Sequence, residues 1–177
     1  MHCSGRNIVL IGMPGAGKST VGVLLAKALG MPFVDTDLLI QASEGRLLQD
    51  IIDSGGIGEF LQVEEKVILS LNVSGYVIAT GGSVVYSTGA MEHLRRDGFI
   101  IYLDVPLEQV EERIRNITTR GIAMRKGQDL REVYEERAPL YRKYADITVG
   151  CSGKDMETVV RTIAEEYRRG KDAEKPC

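Results

Sequence analysis

The 177-residue chain has no tryptophan, only three cysteines and no long apolar run. Cys3, Cys151 and Cys177 are odd in number and form no C-x-x-C pair, which argues against a disulfide framework or a structural zinc site. A reducing, cytoplasmic compartment is therefore expected. No stretch approaches the roughly 18 apolar residues of a membrane span, and glycines interrupt the apolar N-terminus, so neither a membrane helix nor a signal peptide is expected.

The net charge and the aromatic content are also low. The net charge is −3 and aromatic residues make up 6% of the chain, so general binding to nucleic acid has no support. Apolar residues make up 44% and charged residues 27%, the composition of an ordinary globular protein. Residues 1–170 are predicted to form a single domain, followed by a frayed tail at 171–177.

Short apolar runs alternate with longer amphipathic stretches. Strands are predicted at 7–11, 32–34, 76–79, 99–103 and 146–149. Helices are predicted at 18–29, 89–96, 106–117, 130–144 and 155–169, and a largely helical segment at 38–72 is broken at 54–56. This alternation predicts an α/β fold with five parallel strands covered on both faces, and ligands at the carboxyl ends of the strands.

The first strand is followed by a loop that matches the phosphate-binding pattern G-x-x-x-x-G-K-[ST]. The predicted binding residues in it are Gly12, Gly15, Ala16, Gly17, Lys18, Ser19 and Thr20. Its glycines let backbone N–H groups surround an anion, and the helix N-terminus adds positive charge. Lys18 can reach the β- and γ-phosphates of a nucleotide, and the Ser19 hydroxyl can ligate Mg²⁺. Because an N/T-K-x-D guanine reader is missing, an ordinary GTPase is not expected.

Two further motifs follow predicted strands. Asp35 and Asp37 can divide the work of holding hydrated Mg²⁺ and of accepting a proton from a hydroxyl, although either can instead cap the next helix. Gly81 and Gly82 leave room for another molecule or form a plain tight turn. The basic stretch at 113–126 is either a phosphate-covering loop or a solvated face.

Taken together, these motifs resemble the shikimate kinases, small P-loop kinases of the nucleoside-monophosphate-kinase type. The resemblance runs from residue 7 to about 160, through GMPGAGKST at 12–20, FVDTD at 33–37, IATGGS at 78–83 and ERAPLYRKYAD at 136–146. It implies a three-layer α/β/α fold with strand order 2-3-1-4-5, a substrate-binding helical region at about 36–72 and a mobile lid at about 113–128. It also implies a monomer that uses ATP and Mg²⁺ to phosphorylate the 3-hydroxyl of shikimate.

The resemblance also assigns nucleotide-side roles to individual residues. Lys18 and Ser19 would hold phosphates and metal, and Asp35 would support Mg²⁺. Arg113 would lie near the adenine, and Arg120 would be the lid arginine that reaches the phosphates.

On the acceptor side, the resemblance implies that Asp37 takes the reacting hydroxyl. Arg137 would pair with the substrate carboxylate, and Gly81 and Gly82 would line the pocket. Glu64 matches the glutamate that orients a substrate arginine in this family.

The sequence departs from the family pattern in three places. Leu61 stands where a carboxylate-binding arginine is expected, Ser83 replaces a third glycine, and the lid reads Arg120-Gly-Ile-Ala instead of Arg-Pro-Leu-Leu. The substitution at Leu61 leaves open a related kinase for another small hydroxy acid or polyol. A degenerate ATP-binding regulatory module is the third reading.

Overall fold

The computed structural model describes residues 5–115 and 122–173. The strands are β1 (Asn7–Ile11), β2 (Phe33–Asp35), β3 (Val77–Ala79), β4 (Gly98–Asp104) and β5 (Ile147–Gly150). The helices are α1 (Lys18–Leu29), α2 (Thr36–Glu44), α3 (Leu48–Ser70), α4 (Thr88–Arg96), α5 (Leu107–Arg115), α6 (Leu130–Tyr144) and α7 (Met156–Ala173). A 3₁₀ turn, Val84–Tyr86, precedes α4.

The five strands form one sheet in the order β2-β3-β1-β4-β5, and every pairing is parallel. All five residues of β1 are buried, as expected for the central strand of a sheet covered on both faces. The order confirms the predicted α/β architecture. Because β1 has β3 on one side and β4 on the other, the chain reverses direction along the sheet here, where such folds bind ligands.

The main apolar core joins the sheet to the helices around it, with residues such as Ile8, Leu25, Ile101 and Ile163 fully buried. A second, smaller apolar cluster lies between α2 and α3 and includes Ile40, Ile51 and Phe60. This cluster is separate from the main core, and through it α2 and α3 pack against each other beside the sheet.

The structure divides the segment predicted as largely helical at one more place than was predicted. Gly45, in the left-handed region at φ 63°, ends α2, and α3 begins at Leu48. The predicted break at 54–56 is confirmed, because Gly56 (φ 72°, ψ −178°) lies outside the helical region and divides α3 into two helical halves that meet at a kink. Tertiary packing explains why α2 and α3 are separate helices, because Leu48 and Ile51 pack against Ile40 and hold the start of α3 in place.

The other boundaries differ from the predictions by one or a few residues. The largest difference is at the C-terminus, where α7 runs through Gly170 to Ala173, into the segment predicted as a frayed tail. Within the described ranges, none of the helices combines the length and the apolar character that crossing a membrane requires.

Candidate active site

The glycine-rich loop connects β1 to α1, as predicted. Gly12 and Gly17 have φ angles of 148° and 90°, which side-chain-bearing residues rarely adopt. A Cβ atom at Gly12 would lie only 2.8 Å from the Leu103 carbonyl oxygen. Gly17 is the N-cap residue of α1 and has no side chain to accept a hydrogen bond from the first turn of the helix. The first N–H groups of α1 therefore stay available to an anion.

Lys18 begins α1, and its side chain folds back over the loop. Its Nζ donates to the carbonyl oxygens of Gly12 and Met13, both at 2.8 Å. Only 7% of the residue is exposed, so the ammonium is held beside the loop instead of extending into solvent. Of the other predicted loop residues, Gly15 and Ala16 are buried and Thr20 is exposed.

Ser19 and Asp35 meet next to this loop. Ser19 Oγ donates to Asp35 Oδ2 at 2.5 Å, and Asp35 Oδ1 accepts from the Asp37 backbone N–H at 2.9 Å. Asp35 is therefore the N-cap of α2, and the side chain of Asp37 is not part of the cap. This division of the two carboxylates answers the question that the sequence left open.

The oxygens of Ser19 and Asp35 are hard donors of the kind that Mg²⁺ prefers. Within the described residues there is no group of three or more His, Cys, Asp or Glu side chains that could hold a metal ion. Magnesium commonly uses one or two protein ligands and completes its shell with phosphate and water. The site fits that mode of binding and does not fit an all-protein cage.

A cleft of about 190 Å³ opens beside the loop and brings both halves of the predicted site together. The predicted residues in its lining are Gly17, Lys18, Ser19, Asp35, Asp37, Gly81, Gly82 and Arg137. Residues not predicted to line it include Pro14, Leu38, Gln41, Phe60 and Ala123.

Gly81 and Gly82 are needed here because other parts of the site approach their backbone closely. A Cβ atom at Gly81 would lie less than 3.0 Å from both Glu64 Oε1 and Asp37 Oδ1. A Cβ atom at Gly82 would lie 2.7 Å from Pro14 Cδ in the glycine-rich loop. The two glycines therefore bring Asp37, Glu64 and the loop into one compact site.

Glu64 is 2% exposed and lies behind Gly81. Its Oε2 accepts from Ser83 Oγ at 2.7 Å, and its Oε1 has no hydrogen-bond partner among the described residues. Burial is the main reason that the pKa of Glu64 rises from 4.5 to about 7, and the Asp37 charge adds to the rise while Ser83 and Arg137 oppose it. The carboxyl group therefore exchanges its proton near neutral pH.

Replacing Glu64 with glutamine is expected to change how stability depends on pH. The folded protein binds the Glu64 proton more tightly than the unfolded chain does, so the free energy of unfolding falls as the pH rises from 4.5 to about 7. The loss is about 3 kcal/mol at most. Glu64→Gln mimics the protonated form, so it should lack this loss when urea unfolding is measured at about pH 5 and about pH 8.

Glu165→Gln, a change at an exposed position of α7, is the control for this experiment. It should lose stability with pH as the unmodified protein does. An equal pH dependence in Glu64→Gln and in the unmodified protein would contradict the assignment.

Arg137, on α6, is 1% exposed and reaches the cleft. Its Nε donates to the Tyr86 hydroxyl at 3.2 Å, and its Nη2 donates to the Ala123 carbonyl oxygen. Nη1 is buried and has no hydrogen-bond partner among the described residues. A buried guanidinium with one donor nitrogen that has no partner suits an anionic group of a ligand.

The remaining predicted residues lie in different places. Arg113 Nη1 donates to the Gly15 carbonyl oxygen at 3.2 Å, so this side chain lies against the outside of the loop. Leu61 is not among the cleft-lining residues and packs on the α2–α3 apolar cluster. Arg120 lies outside the described residues.

Sequence reasoning missed the roles of Ser83, Tyr86 and Tyr141. Ser83 looked only like a substituted glycine, yet its hydroxyl donates a hydrogen bond to the buried Glu64. Tyr141 is fully buried, and its hydroxyl donates to the Gly82 carbonyl oxygen at 2.5 Å. No local pattern marks these contacts, because each joins segments far apart in the chain.

Comparison with known proteins agrees with this geometry. The shikimate kinase family model matches residues 14–168. Shikimate kinase of Thiobacillus denitrificans is 42% identical over 161 residues (89% of this chain, 87% of that protein), and that of Paracidovorax citrulli is 41% identical over 165 residues (89% and 90%). The solved structure of Acinetobacter baumannii shikimate kinase in complex with shikimate has a TM-score of 0.85 and 30% identity, covering 95% of this chain and 96% of that one. The chain therefore belongs to the shikimate kinase family.

Proposed function

We propose that the protein transfers a phosphoryl group from Mg²⁺-bound ATP to the 3-hydroxyl of shikimate. The observation that carries this proposal is that the glycine-rich loop, Asp37 and the buried Arg137 line the same cleft. Membership of the shikimate kinase family supports the choice of acceptor.

On the nucleotide side, the N–H groups of the loop and of α1 would hold the phosphates, and Lys18 would neutralise charge on the transferred group. Its present contacts with the Gly12 and Met13 carbonyl oxygens keep the ammonium within reach of an anion on the loop. Arg113, on the outside of the same loop, would face the adenine side. Arg120 would reach the phosphates from the predicted lid.

Ser19 and Asp35 would hold Mg²⁺, Ser19 directly and Asp35 through the hydroxyl or a water molecule. The ion supplies positive charge to the phosphate oxygens during transfer. Asp35 is already fixed by capping α2 and by its contact with Ser19, so these two residues would together hold the ion.

On the acceptor side, Asp37 would accept a hydrogen bond from the reacting hydroxyl and take its proton as the phosphoryl group moves. Arg137 would pair with the carboxylate through its unused Nη1, which would fix the ring. Gly81 and Gly82 would let the acceptor approach the backbone, and Glu64 would support this wall from behind.

The partner is thus a small molecule. We also propose that the protein works as a monomer in the cytoplasm, without nucleic-acid or membrane partners. The low net charge supports the absence of nucleic acid, and the free thiol of Cys151 fits a reducing compartment.

The proposal is tested by measuring ATP-dependent ADP release with shikimate and with a panel of small hydroxy acids and polyols. We expect turnover with shikimate to exceed turnover with every other acceptor. Leu61, which leaves the cleft with Arg137 as its one arginine among the described residues, favours a different hydroxy acid as the second candidate. A higher kcat/KM with another acceptor would identify that candidate, and ATP binding without any turnover would indicate a regulatory module.

A further inference from the structure

Tyr86 contacts the Arg137 guanidinium through both its hydroxyl and its ring. Its Nε donates to the Tyr86 hydroxyl at 3.2 Å, and its guanidinium carbon lies 5.0 Å from the centre of the Tyr86 ring. Tyr86 ends the 3₁₀ turn that follows the two pocket glycines. One aromatic side chain therefore fixes both the position and the tilt of the guanidinium.

The Tyr86 hydroxyl is itself polarised by a carboxylate. It donates to Glu136 Oε2 at 2.9 Å while it accepts from Arg137 Nε. A phenol that gives its proton to a carboxylate becomes a better acceptor for a cation, because hydrogen bonds in a chain strengthen one another. The Tyr86 hydrogen bond also lowers the pKa of Glu136, so this carboxylate remains ionised at neutral pH.

The segment before α6 completes the arrangement. Arg125 Nη1 lies 3.3 Å from Glu136 Oε1, and the Ala123 carbonyl oxygen accepts from Arg137 Nη2. Nε and Nη2 each donate to the protein, and Nη1 is the nitrogen without a partner among the described residues, so it is the one best placed to bind a ligand. The contacts therefore select which edge of the guanidinium faces the cleft.

We propose that Tyr86 and Glu136 are positioning residues that orient Arg137 toward the anionic group of the acceptor, and so determine selectivity for anionic acceptors. This inference rests on the proposed function. Tyr86 and Glu136 touch Arg137 or each other and need not touch the acceptor, so their effect should appear in acceptor binding and not in ATP binding.

The test is steady-state kinetics of Tyr86→Phe with shikimate and with its uncharged methyl ester. We expect KM for shikimate to rise about tenfold, because Nε loses its acceptor and the guanidinium is held less firmly by the contacts that remain. KM for ATP and KM for the methyl ester should stay close to the values of the unmodified protein. Tyr167→Phe is the matched control, since its hydroxyl donates to the Arg6 carbonyl oxygen at 2.7 Å, just before β1 and at the end of that strand opposite the glycine-rich loop.

Glu136→Gln tests the same inference at an exposed position, where folding is not at risk. It keeps the hydrogen bond from Tyr86 but removes the charge, so KM for shikimate should rise about threefold. Equal rises in KM for shikimate, its ester and ATP, or an unchanged KM for shikimate in both variants, would overturn the inference alone. No turnover by the unmodified protein with any acceptor would overturn the proposed function, and this inference with it.

Discussion

Asp37→Asn is expected to lower kcat by about 10²- to 10⁴-fold, because asparagine cannot take the proton of the reacting hydroxyl. Asp37 is suited to this role because Asp35 provides the cap of α2 and the contact to Ser19. KM for ATP should change little, since Asp37 Oδ1 lies beside Gly81, where we propose that the acceptor binds. Rapid-quench and steady-state measurements of kcat check the prediction.

Asp53→Asn, a change at an exposed position of α3, is the control and should leave kcat unaltered. A kcat for Asp37→Asn equal to that of the unmodified protein would remove Asp37 from the mechanism. If Asp35→Asn instead reduced kcat without altering the Mg²⁺ requirement, the roles proposed for the two carboxylates would be reversed.

Lys18→Met is expected to lower kcat by about 10²- to 10³-fold, the usual effect of removing one preorganised donor from developing negative charge. Methionine keeps most of the side-chain volume in this buried position but lacks the ammonium. The loss should appear in kcat more than in KM for ATP, because the loop N–H groups still bind the phosphates.

Lys27→Met, at an exposed position in the last turn of the same helix, is the matched control. It removes one positive charge from α1 without changing the loop. Equal losses of kcat in the two variants would mean that the overall charge of α1 matters and that Lys18 has no specific role.

The fold and the nucleotide half of the site were predictable because their signals are local. The apolar runs of β1 and β4 lie between polar residues and glycines, and the loop pattern of Lys18 and Ser19 is contiguous. Backbone geometry then confirmed the strand–loop–helix context, with Gly17 in a left-handed conformation at the start of α1. The family prediction is confirmed by the comparisons.

The acceptor half was only partly predictable because its contacts are long-range. Glu64 and Ser83 are 19 positions apart and meet only after α3 and β3 are packed. Tyr86 and Arg137 are 51 positions apart. No local pattern predicts such pairs, since each depends on how two distant elements meet.

Helix capping shows the same limit at short range. Asp35 and Asp37 were equally good caps by residue type, and the choice depends on where β2 ends. The strand extends through Asp35, so the first N–H groups of α2 fall within reach of the Asp35 side chain. The packing of Leu61 on the α2–α3 cluster could not be predicted from the sequence either, because it depends on how the two helices are arranged.

The most direct test of phosphoryl transfer in this cleft is phosphorus NMR of the reaction of the purified protein with ATP, Mg²⁺ and shikimate. We predict one new phosphate monoester on the 3-hydroxyl, formed in the same amount as ADP. ADP with inorganic phosphate but no monoester would contradict the account, since the cleft would then deliver the phosphoryl group to water instead of to an acceptor held by Asp37 and Arg137.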